Sequence, residues 1–552
     1  MSVYLFRGGA IRTMDAANPI AEAVVVVDDR ITYVGTESGA SGVLPETFEV
    51  IDLAGGMLLP GFVDAHDHFA TFAISKMGVN LSGVVGREAI LAVIRTYVES
   101  RPADGLLRGY AWMPDSFAEG APRREWLDTV TGDRPMILFS ADAHDLWFNT
   151  AAMDAAGITA QTPDPTPGTQ YLKRDADGTP NGWAVEGGQL LVTVPLGVYG
   201  RDGVRASQEL TISKAPGWGI TTYLEAGAIV GTRSSDSESV YQDLIDRDNA
   251  GDLPLRIVGT VWTRNASDDP QQIADELTDW HTRLRSTHVQ VSICKMWSDG
   301  VLMSGGALLL QPFCNNPGSH GHMTLAPEQI EAAVEAVQRA GFDMHIHVDG
   351  DGSVRTVLDA IEAAHGRIGR GDSRHTIAHN TMVAPTDVPR YKAMGVLANC
   401  TPLWGTNYNG QYIDIYSDLI GPERMEEELF PYGDLVRSGA TVTYGADIPG
   451  VDIPEIAPLI QIESLLTRKR PGFPDDVPLV ERQCIGLQEA LIGYTINGAY
   501  QLRMEDRIGS IEVGKQADLV VLARDLFDVA PEEIHSVPVV LTMMDGRVTY
   551  SA

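Results

Sequence analysis

Two histidines, His66 and His68, stand two residues apart at the end of an apolar run in LLPGFVDAHDHFA, residues 58–70. On a β-strand, residues i and i+2 project to the same side, so both imidazoles would leave one strand end together. Imidazole is a frequent ligand of zinc and related ions. A surface His-x-His at a strand end is also common, so the pair predicts a metal site only if partners exist elsewhere in the chain.

The partners are sought at the ends of predicted strands. Apolar runs predict eight strands, separated mostly by helical patterns such as those at 327–340 and 353–365, and the strands lie at 58–64, 219–225, 255–262, 289–296, 342–347, 374–379, 395–400 and 441–446. Eight strands with intervening helices indicate an α/β fold, a (β/α)₈ TIM barrel. Reactive residues in such a barrel lie at the C-terminal ends of its strands. The candidates at those ends are His66, His68, Lys295, His347, His379 and Asp447.

Both ends of the chain are rich in short β segments with tight turns. We predict that residues 1–57 and 498–552 pair into one small β-sandwich domain, and that residues 58–497 form the barrel. A stretch at about 80–215 is rich in glycine, proline and tryptophan. It is predicted to be an insertion after the first barrel strand.

The composition excludes several classes of function. The net charge of −33, from 41 basic and 74 acidic residues, argues against nucleic acids and anionic membranes as partners. No apolar run is long enough to span a membrane, and the N-terminus lacks the pattern of a signal peptide. Four cysteines without CxxC spacing suit a reducing cytoplasm. The absence of GxGxxG after the first strand, and of a phosphate-binding Gly-Lys-Ser/Thr loop, argues against a nucleotide-binding oxidoreductase.

Five segments in order, GFVDAHDHF, CKMWSDG, HIHVDGD, RHTIAHN and YGADIP, resemble the successive motifs of the amidohydrolase superfamily. The resemblance is to the amidohydrolase family 3 branch, which includes N-substituted formamide deformylases, and it covers nearly the whole chain. It implies that His66 and His68 bind the more buried of two metal ions. It also implies that Lys295 carries a CO₂-derived carbamate that bridges both ions. The two anionic oxygens of a carbamate suit ions about 3.5–4 Å apart, whereas an unmodified lysine would repel them.

The same resemblance assigns the remaining candidates. His347 and His379 would hold the second ion, and Asp447 would bind the first ion and move protons. The chain departs from the family where a glutamate often precedes the strand-six histidine, since Ala378 stands there. This departure removes no ligand but affects the hydrogen bonds around the ligands and the substrate preference.

Two of these assignments have alternatives. His345 has the same strand parity as His347, but Gly350 and Asp351 follow His347 at the family spacing, which favours His347 as the ligand. Lys295 could instead pair with a carboxylate such as Asp299, which would leave a site for one metal. The segment GSHGH, residues 318–322, contains a second His-x-His pair, His320 and His322, with the spacing of metal ligands. A flexible glycine-rich loop is the favoured interpretation.

Aromatic residues predict an apolar or aromatic substrate group. Tryptophan is more often ordinary core than pocket lining, so these residues form a weaker set than the metal ligands. The predicted substrate contacts are His144, Trp112, Trp147, Trp297, His345 and Trp404.

The predicted function is metal-dependent hydrolysis of a non-peptide C–N bond, in an amide, N-substituted formamide or cyclic amide. A metal-activated hydroxide would attack the carbonyl, with Asp447 accepting a proton from water and donating it to the leaving amine. Two zinc ions are favoured, with manganese, iron or cobalt as alternatives. Ester or lactone hydrolysis, mononuclear deamination and a catalytically silent binding or regulatory protein remain alternatives. A small-molecule substrate is expected in any enzymatic case, and the resemblance implies a homodimer.

Overall fold

The structure is a computed structural model of the 552-residue chain. It describes residues 2–102, 105–117, 121–141, 143, 145–165, 170–228, 230, 233–263 and 265–552. Within these ranges, no helix combines the length and the apolar character needed to cross a membrane.

Eight parallel strands form the central barrel, which confirms the predicted fold class. The eighth strand comes back to the first, where the backbone N–H of Asp447 donates to the carbonyl of His66 (3.1 Å). In chain order the barrel strands are Phe62–Asp67, Ile220–Glu225, Arg256–Thr263, Val289–Trp297, Asp343–Val348, Thr376–His379, Leu397–Cys400 and Val442–Tyr444.

Helices cover the outside of these strands. All residues of the strands Arg256–Thr263 and Asp343–Val348 are buried, as expected for parallel strands that pack on both faces. The helix Pro270–Arg283 shows how such an element starts: the Asp269 carboxylate accepts from the next backbone N–H groups, and proline occupies the first turn. The helices between or after the barrel strands are Glu238–Asn249, Pro270–Arg283, Pro327–Arg339, Asp351–Ile368, Val388–Met394, Tyr412–Ile420, Pro422–Glu428, Tyr432–Ser438, Pro458–Thr467, Leu487–Ile492 and Gly498–Gln501.

The predicted first strand at 58–64 is divided between two sheets. Met57–Pro60 pairs antiparallel with Leu519–Leu522, whereas Phe62–Asp67 belongs to the barrel. The division falls at Gly61, whose N–H donates to the carbonyl of Asp518 (2.8 Å). The chain therefore passes directly from the terminal sheet into the strand that carries His66.

The N- and C-terminal strands pair in one sheet of eight strands, which confirms the predicted pairing of the two ends. Its apolar face packs residues from both ends together, including Phe6, Leu58 and Val521. The strands of this terminal sheet are Val3–Arg12, Ile20–Val27, Arg30–Gly35, Glu49–Asp52, Met57–Pro60, Leu519–Leu522, Val539–Met544 and Arg547–Ser551, with a short helix at Glu37–Ala40.

The segment between the first and second barrel strands has a sheet and hydrophobic cores of its own. It is the insertion that the sequence predicts. Its strands are Val79–Asn80, Leu107–Trp112, Met136–Ser140, Asp145–Phe148, Tyr171–Arg174 and Pro180–Val185, and its helices are Arg87–Glu99, Arg124–Thr131, Thr150–Ala155, Leu190–Thr193 and Arg201–Ile212.

Candidate metal centre

Histidines from the first and sixth barrel strands surround the carboxylate of Asp447. Asp447 Oδ1 lies 3.4 Å from His66 Nε2 and 3.6 Å from His68 Nε2, and Asp447 Oδ2 lies 3.4 Å from His379 Nδ1. The four side chains are buried. The sequence-predicted ligands His66, His68, His379 and Asp447 are therefore together at one end of the barrel.

Backbone conformation directs two of these side chains. His379 and Asp447 have φ of 74° and 58°, in the left-handed region that residues other than glycine seldom adopt. His379 ends the sixth barrel strand, and Asp447 follows the eighth by three residues. The left-handed conformation therefore turns the chain at the positions whose side chains face the cluster of candidate ligands. Such strained conformations concentrate at functional sites.

Lys295 completes the cluster from the fourth strand. Its Nζ lies 3.3 Å from His66 Nε2, and the side chain is fully buried. Burial lowers the pKa of Lys295 to about 7, although the charges of Asp447 and Glu225 oppose this shift. A substantial fraction of Lys295 is therefore the neutral amine near pH 7.

The alternative partner of Lys295, Asp299, has other contacts. Its carboxylate accepts hydrogen bonds from the backbone N–H groups of Leu308 (3.1 Å), Asp349 (3.0 Å) and Gly350 (3.0 Å). These contacts tie the loop after the fourth strand to the loop after the fifth. Among the described contacts, Asp299 makes none with Lys295.

The two histidines of the fifth strand lie at different depths. The His347 ring is 4.4 Å from the ring of His379, between centroids, and its side chain reaches the more open level of the site. His345 lies deeper, with Nε2 2.7 Å from His66 Nδ1 and Nδ1 3.4 Å from Gln501 Nε2. Since both ring nitrogens of His345 face other side chains, the structure places it behind His66 rather than beside the ligands.

Burial keeps the imidazoles of the cluster neutral. It is the largest cause that lowers the pKa of His66, His345 and His379 well below the usual value, and it lowers that of His68 to about 4. A neutral imidazole offers a lone pair to a metal ion, whereas an imidazolium does not.

Two aspartates of the first strand hold the backbone around the ligands, and the sequence analysis missed them. Asp64 accepts from the N–H groups of His66 (3.1 Å) and Ala446 (3.2 Å). Asp67 accepts from the N–H groups of His68 (2.8 Å) and Ile448 (2.9 Å). Burial raises the pKa of Asp67 to about 8 and that of Asp64 in the same direction. The available signal was their position, since Asp67 lies between the two histidines and Asp64 lies two residues before His66.

Glu225 is a third acidic residue that the sequence analysis missed. It ends the second barrel strand, its Oε2 accepts from the Ala70 N–H (2.7 Å), and its Oε1 lies 3.9 Å from His68 Nδ1. Burial raises its pKa well above the usual value. The rule that strand ends carry reactive residues would have located it, because its strand was predicted at 219–225.

Two predicted aromatic contacts lie near the cluster. The Trp404 ring stacks on the His379 ring at 5.2 Å and 15°. The Trp297 ring lies 5.2 Å from Lys295 Nζ and packs edge-on against Trp262. Trp404 and Trp297 can therefore contribute apolar surface next to the ligands.

The structure places Trp112 and Trp147 elsewhere, in the core of the insertion. Their rings pack edge-to-face at 6.3 Å, and their indole N–H groups donate to the carbonyls of Leu138 (2.8 Å) and Arg123 (3.0 Å). The insertion must bury one face of its own sheet, and these large side chains fill that space. The remaining predicted contact, His144, lies outside the described residues.

The donor set fits a metal ion. Within the described part of the chain, ligand atoms of His66, His379 and Asp447 all lie within 4.8 Å of one another. His379 Nδ1 is buried and has no hydrogen-bond partner among the described residues, so a metal ion would satisfy it. Imidazole and carboxylate ligands suit zinc, and also manganese, iron and cobalt.

Comparisons with known proteins agree with this geometry. The profile of the amidohydrolase family matches residues 49–550. N-substituted formamide deformylase of Arthrobacter pascens is 27% identical, over 98% of this chain and 97% of that protein. Exoenzymes regulatory protein AepA of Pectobacterium carotovorum subsp. carotovorum is 28% identical, over 80% and 92%. A crystal structure of an uncharacterized metal-dependent hydrolase from Pyrococcus horikoshii has the same fold, with a TM-score of 0.75, 20% identity and coverage of 96% and 99%.

Proposed function

Because the chain belongs to the amidohydrolase family, we propose that it is a metal-dependent hydrolase of a non-peptide C–N bond, with N-substituted formamides as the first substrate class to test. The observation that carries this proposal is the convergence of His66, His68 and His379 on the Asp447 carboxylate, at 3.4–3.6 Å. Bound divalent ions would supply Lewis acidity and positive charge there. The relative from Arthrobacter pascens supports the choice of formamides.

The ligands divide into two groups in this proposal. His66, His68 and Asp447 would hold one ion, and His347 and His379 a second. Lys295 would serve both as a carbamate. Burial favours its neutral amine, which would attack the carbon of CO₂. An N–C bond would form as one C=O π bond opens, and the nitrogen would release one proton, so that one negative charge shared by two oxygens replaces the ammonium.

Asp447 is the proton carrier of the proposed reaction. Its carboxylate lies beside the histidine cluster, where an attacking water would have to be activated. It would accept a proton from that water and deliver it to the amine nitrogen that leaves. Trp404 and Trp297 would pack against the apolar substituent of the substrate.

The test begins with metal content per chain, measured on protein purified without chelator, as wild type, Lys295→Ala and the control His320→Ala. His320 lies in a loop and bonds the Leu309 carbonyl, so its loss should leave the metal content unchanged. About two metals in the wild type, falling sharply in Lys295→Ala alone, is the expected result. About one metal in all three proteins would contradict the bridging role of Lys295.

Substrate class is tested on the metal-loaded protein with N-benzylformamide, an N-benzyl amide of a longer acid, a benzyl ester and an aminated heterocycle. Release of benzylamine from the formamide is expected to be fastest. Faster cleavage of the ester, or release of ammonia from the heterocycle, would move the assignment to ester hydrolysis or deamination. Absence of bound metal would favour a regulatory protein, the role in the name of AepA.

A further inference from the structure

The ammonium group of Lys76 lies where the loop after the first barrel strand meets two other parts of the chain. Its Nζ lies 3.0 Å from Asp452 Oδ1, which follows the eighth strand, and donates to the carbonyl of Ala141 (3.4 Å), which belongs to the insertion. The ring of Tyr110, also in the insertion, lies 5.7 Å from Nζ. The Lys76 side chain is only 6% exposed, so solvent screens its ion pair less than it screens a pair on the open surface.

Asp452 precedes a short 3₁₀ helix that is bonded to the loop after the seventh strand. The backbone N–H of Asp452 donates to Glu455 Oε2 (2.7 Å), and Glu455 Oε1 accepts from the hydroxyl of Tyr408 (3.0 Å). A few residues further on, Gln461 Oε1 accepts from the backbone N–H of Leu403 (3.0 Å). These hydrogen bonds hold the loop after the seventh strand against the chain that follows Asp452.

The ring of Trp404 belongs to that loop and rests on Gly450. A Cβ atom built on Gly450 would lie 2.6 Å from Trp404 Cζ2, closer than side chains approach each other, so the indole lies directly on the glycine backbone. The same ring stacks on His379, with 5.2 Å between the ring centroids. Gly450 comes two residues before Asp452. A shift of this segment, residues 450–456, would therefore move the surface that supports Trp404.

The charge of Lys76 compensates two carboxylates of the segment 450–456. Burial raises the pKa of Glu455, and the attraction of Lys76 opposes this shift, whereas the charge of Asp452 adds to it. Loss of the ammonium group would leave two neighbouring, partly buried carboxylates without the cation that compensates them. Such carboxylates separate or move toward water, because their repulsion is strong where solvent is scarce.

We propose that Lys76 is a positioning residue that holds the segment 450–456 through Asp452 and thereby fixes Trp404 as one wall of the substrate pocket. The inference rests on the proposed function, in which Trp404 packs against the apolar substituent of the substrate. It makes the preference for that substituent a property of the loop after the first strand as well as of Trp404 itself.

The first test is steady-state kinetics of the metal-loaded protein with N-benzylformamide and N-methylformamide. Lys76→Met keeps most of the apolar stem and removes the charge, and Asp452→Asn removes the partner. In both variants the KM for N-benzylformamide is expected to rise about tenfold. The kcat and KM for N-methylformamide, which has no ring to pack on Trp404, should change less than about twofold. An equal change for both substrates overturns the proposal.

The double variant tests whether Lys76 and Asp452 act as a pair. Its KM for N-benzylformamide is expected to equal that of each single variant, and a product of the two single increases overturns the proposal. Asp452→Asn alone tests a direct contact between Lys76 and substrate. If the ammonium group itself bound an acidic substituent, its release from Asp452 would lower the KM for N-(4-carboxybenzyl)formamide, and this result would overturn the positioning role.

Arg174→Met is the matched control in the insertion. Arg174 pairs with Asp164 (3.2 Å), and both side chains are partly buried. Among the described contacts of Arg174, none reaches the segment 450–456 or the loop of Trp404. The KM for N-benzylformamide is expected to equal that of the wild type. A rise like that of Lys76→Met would show that the loss of any ion pair of the insertion has this effect, and would overturn the proposal.

A measurement without substrate separates this inference from the proposed function. Protein labelled with 5-fluorotryptophan gives a ¹⁹F signal for each of its nine tryptophans, and Trp404→Phe and Trp280→Phe identify two of them. Lys76→Met and Asp452→Asn are both expected to move the Trp404 signal. The signal of Trp280, which packs against Tyr241 from the helix Pro270–Arg283, should stay in place.

The outcomes of this measurement are distinct. An unmoved Trp404 signal overturns the inference whether or not the protein is a hydrolase. A moved signal in a protein that hydrolyses none of the test compounds contradicts only the proposed function. Asp452 is partly exposed, so Asp452→Asn provides the decisive signal if Lys76→Met does not fold.

Discussion

At the scale of single residues, Asp447 is the group on which the proposed chemistry depends. Two barrel strands supply the histidines that contact its carboxylate, and its own backbone N–H bonds the carbonyl of His66. A side chain held in this way has its position defined before substrate binds. A positioned carboxylate of this kind can take part in both proton transfers of an amide hydrolysis.

Asp447→Asn is predicted to lower kcat by about 10²–10⁴-fold, because the amide has the shape of the carboxylate but cannot carry the proton. Unfolding temperature is expected to change little, since the backbone contacts of residue 447 remain. The measurement is steady-state kinetics with the fastest substrate of the screen, compared with His320→Ala. A kcat within a few-fold of the wild type would contradict the role of Asp447.

The residues at strand ends could be predicted because period-2 alternation and barrel geometry together place them on one rim. His66, His379 and Asp447 follow from that rule alone. The different depths of His345 and His347 do not follow from that rule, because both side chains face inward. Their depths are set by the register with the fourth strand, in which Lys295 lies opposite His345. Hydrogen bonds between distant segments, such as that of Gln501, leave no local pattern in the sequence.

At the scale of elements, two loops on the rim are joined by one buried carboxylate. Asp299, after the fourth strand, accepts from the N–H groups of Asp349 and Gly350, which directly follow the strand of His347. The position of His347 therefore depends on a residue of the neighbouring loop.

The tryptophans of the insertion lie away from this rim. Trp112 and Trp147 were predicted as substrate contacts, but they pack inside the insertion, where they fill the core of its separate sheet.

Asp299→Ala is predicted to reduce the free energy of unfolding by about 2–3 kcal/mol, because two buried backbone N–H groups, those of Asp349 and Gly350, and the half-buried N–H group of Leu308 lose their acceptor. It should also reduce metal content, since the loop that follows His347 is released. The measurements are chemical denaturation and metal content per chain. Asp269→Ala is the control, because it removes a helix cap outside the site. It should reduce the free energy of unfolding by about 1 kcal/mol and leave the metal content unchanged. Equal metal loss in both variants would contradict the prediction.

At the scale of the whole molecule, ionic contacts join the terminal sheet to the barrel. Arg256 of the third barrel strand donates to Asp545 (2.8 Å) and also contacts Asp518, both from the C-terminal segment. His288, just before the fourth strand, lies between Asp248 (2.6 Å, from Nδ1) and Asp545 (2.7 Å, from Nε2). The attachment of the terminal sheet, and with it the start of the strand of His66, therefore includes a group that titrates near neutral pH.

The sign of the resulting pH dependence follows from the direction of each shift. The hydrogen bond to Asp545, followed by the contacts with Asp248, raises the pKa of His288 above 6.5 in the folded protein. The stability that His288 contributes is therefore fully present below about pH 6.5 and is lost as pH rises through the raised value. The pKa values of Asp248 and Asp545 are lowered overall in the folded protein. Burial alone would raise them, but other contacts, including the hydrogen bonds to His288, outweigh it. Their contribution is present above about pH 3.8 and is lost as pH falls through the lowered values.

His288→Asn is therefore predicted to destabilise the protein more at about pH 5.5 than at about pH 8.5, because only the protonated ring donates to both carboxylates. The expected difference in the loss of unfolding temperature is on the order of 2 °C. Thermal unfolding at the two pH values measures it, with His281→Asn as the control, since the His281 ring bonds the carbonyl of Val291 instead of a carboxylate. An equal loss at both pH values, or a larger loss at the higher one, would show that the charge on His288 does not hold the terminal sheet to the barrel.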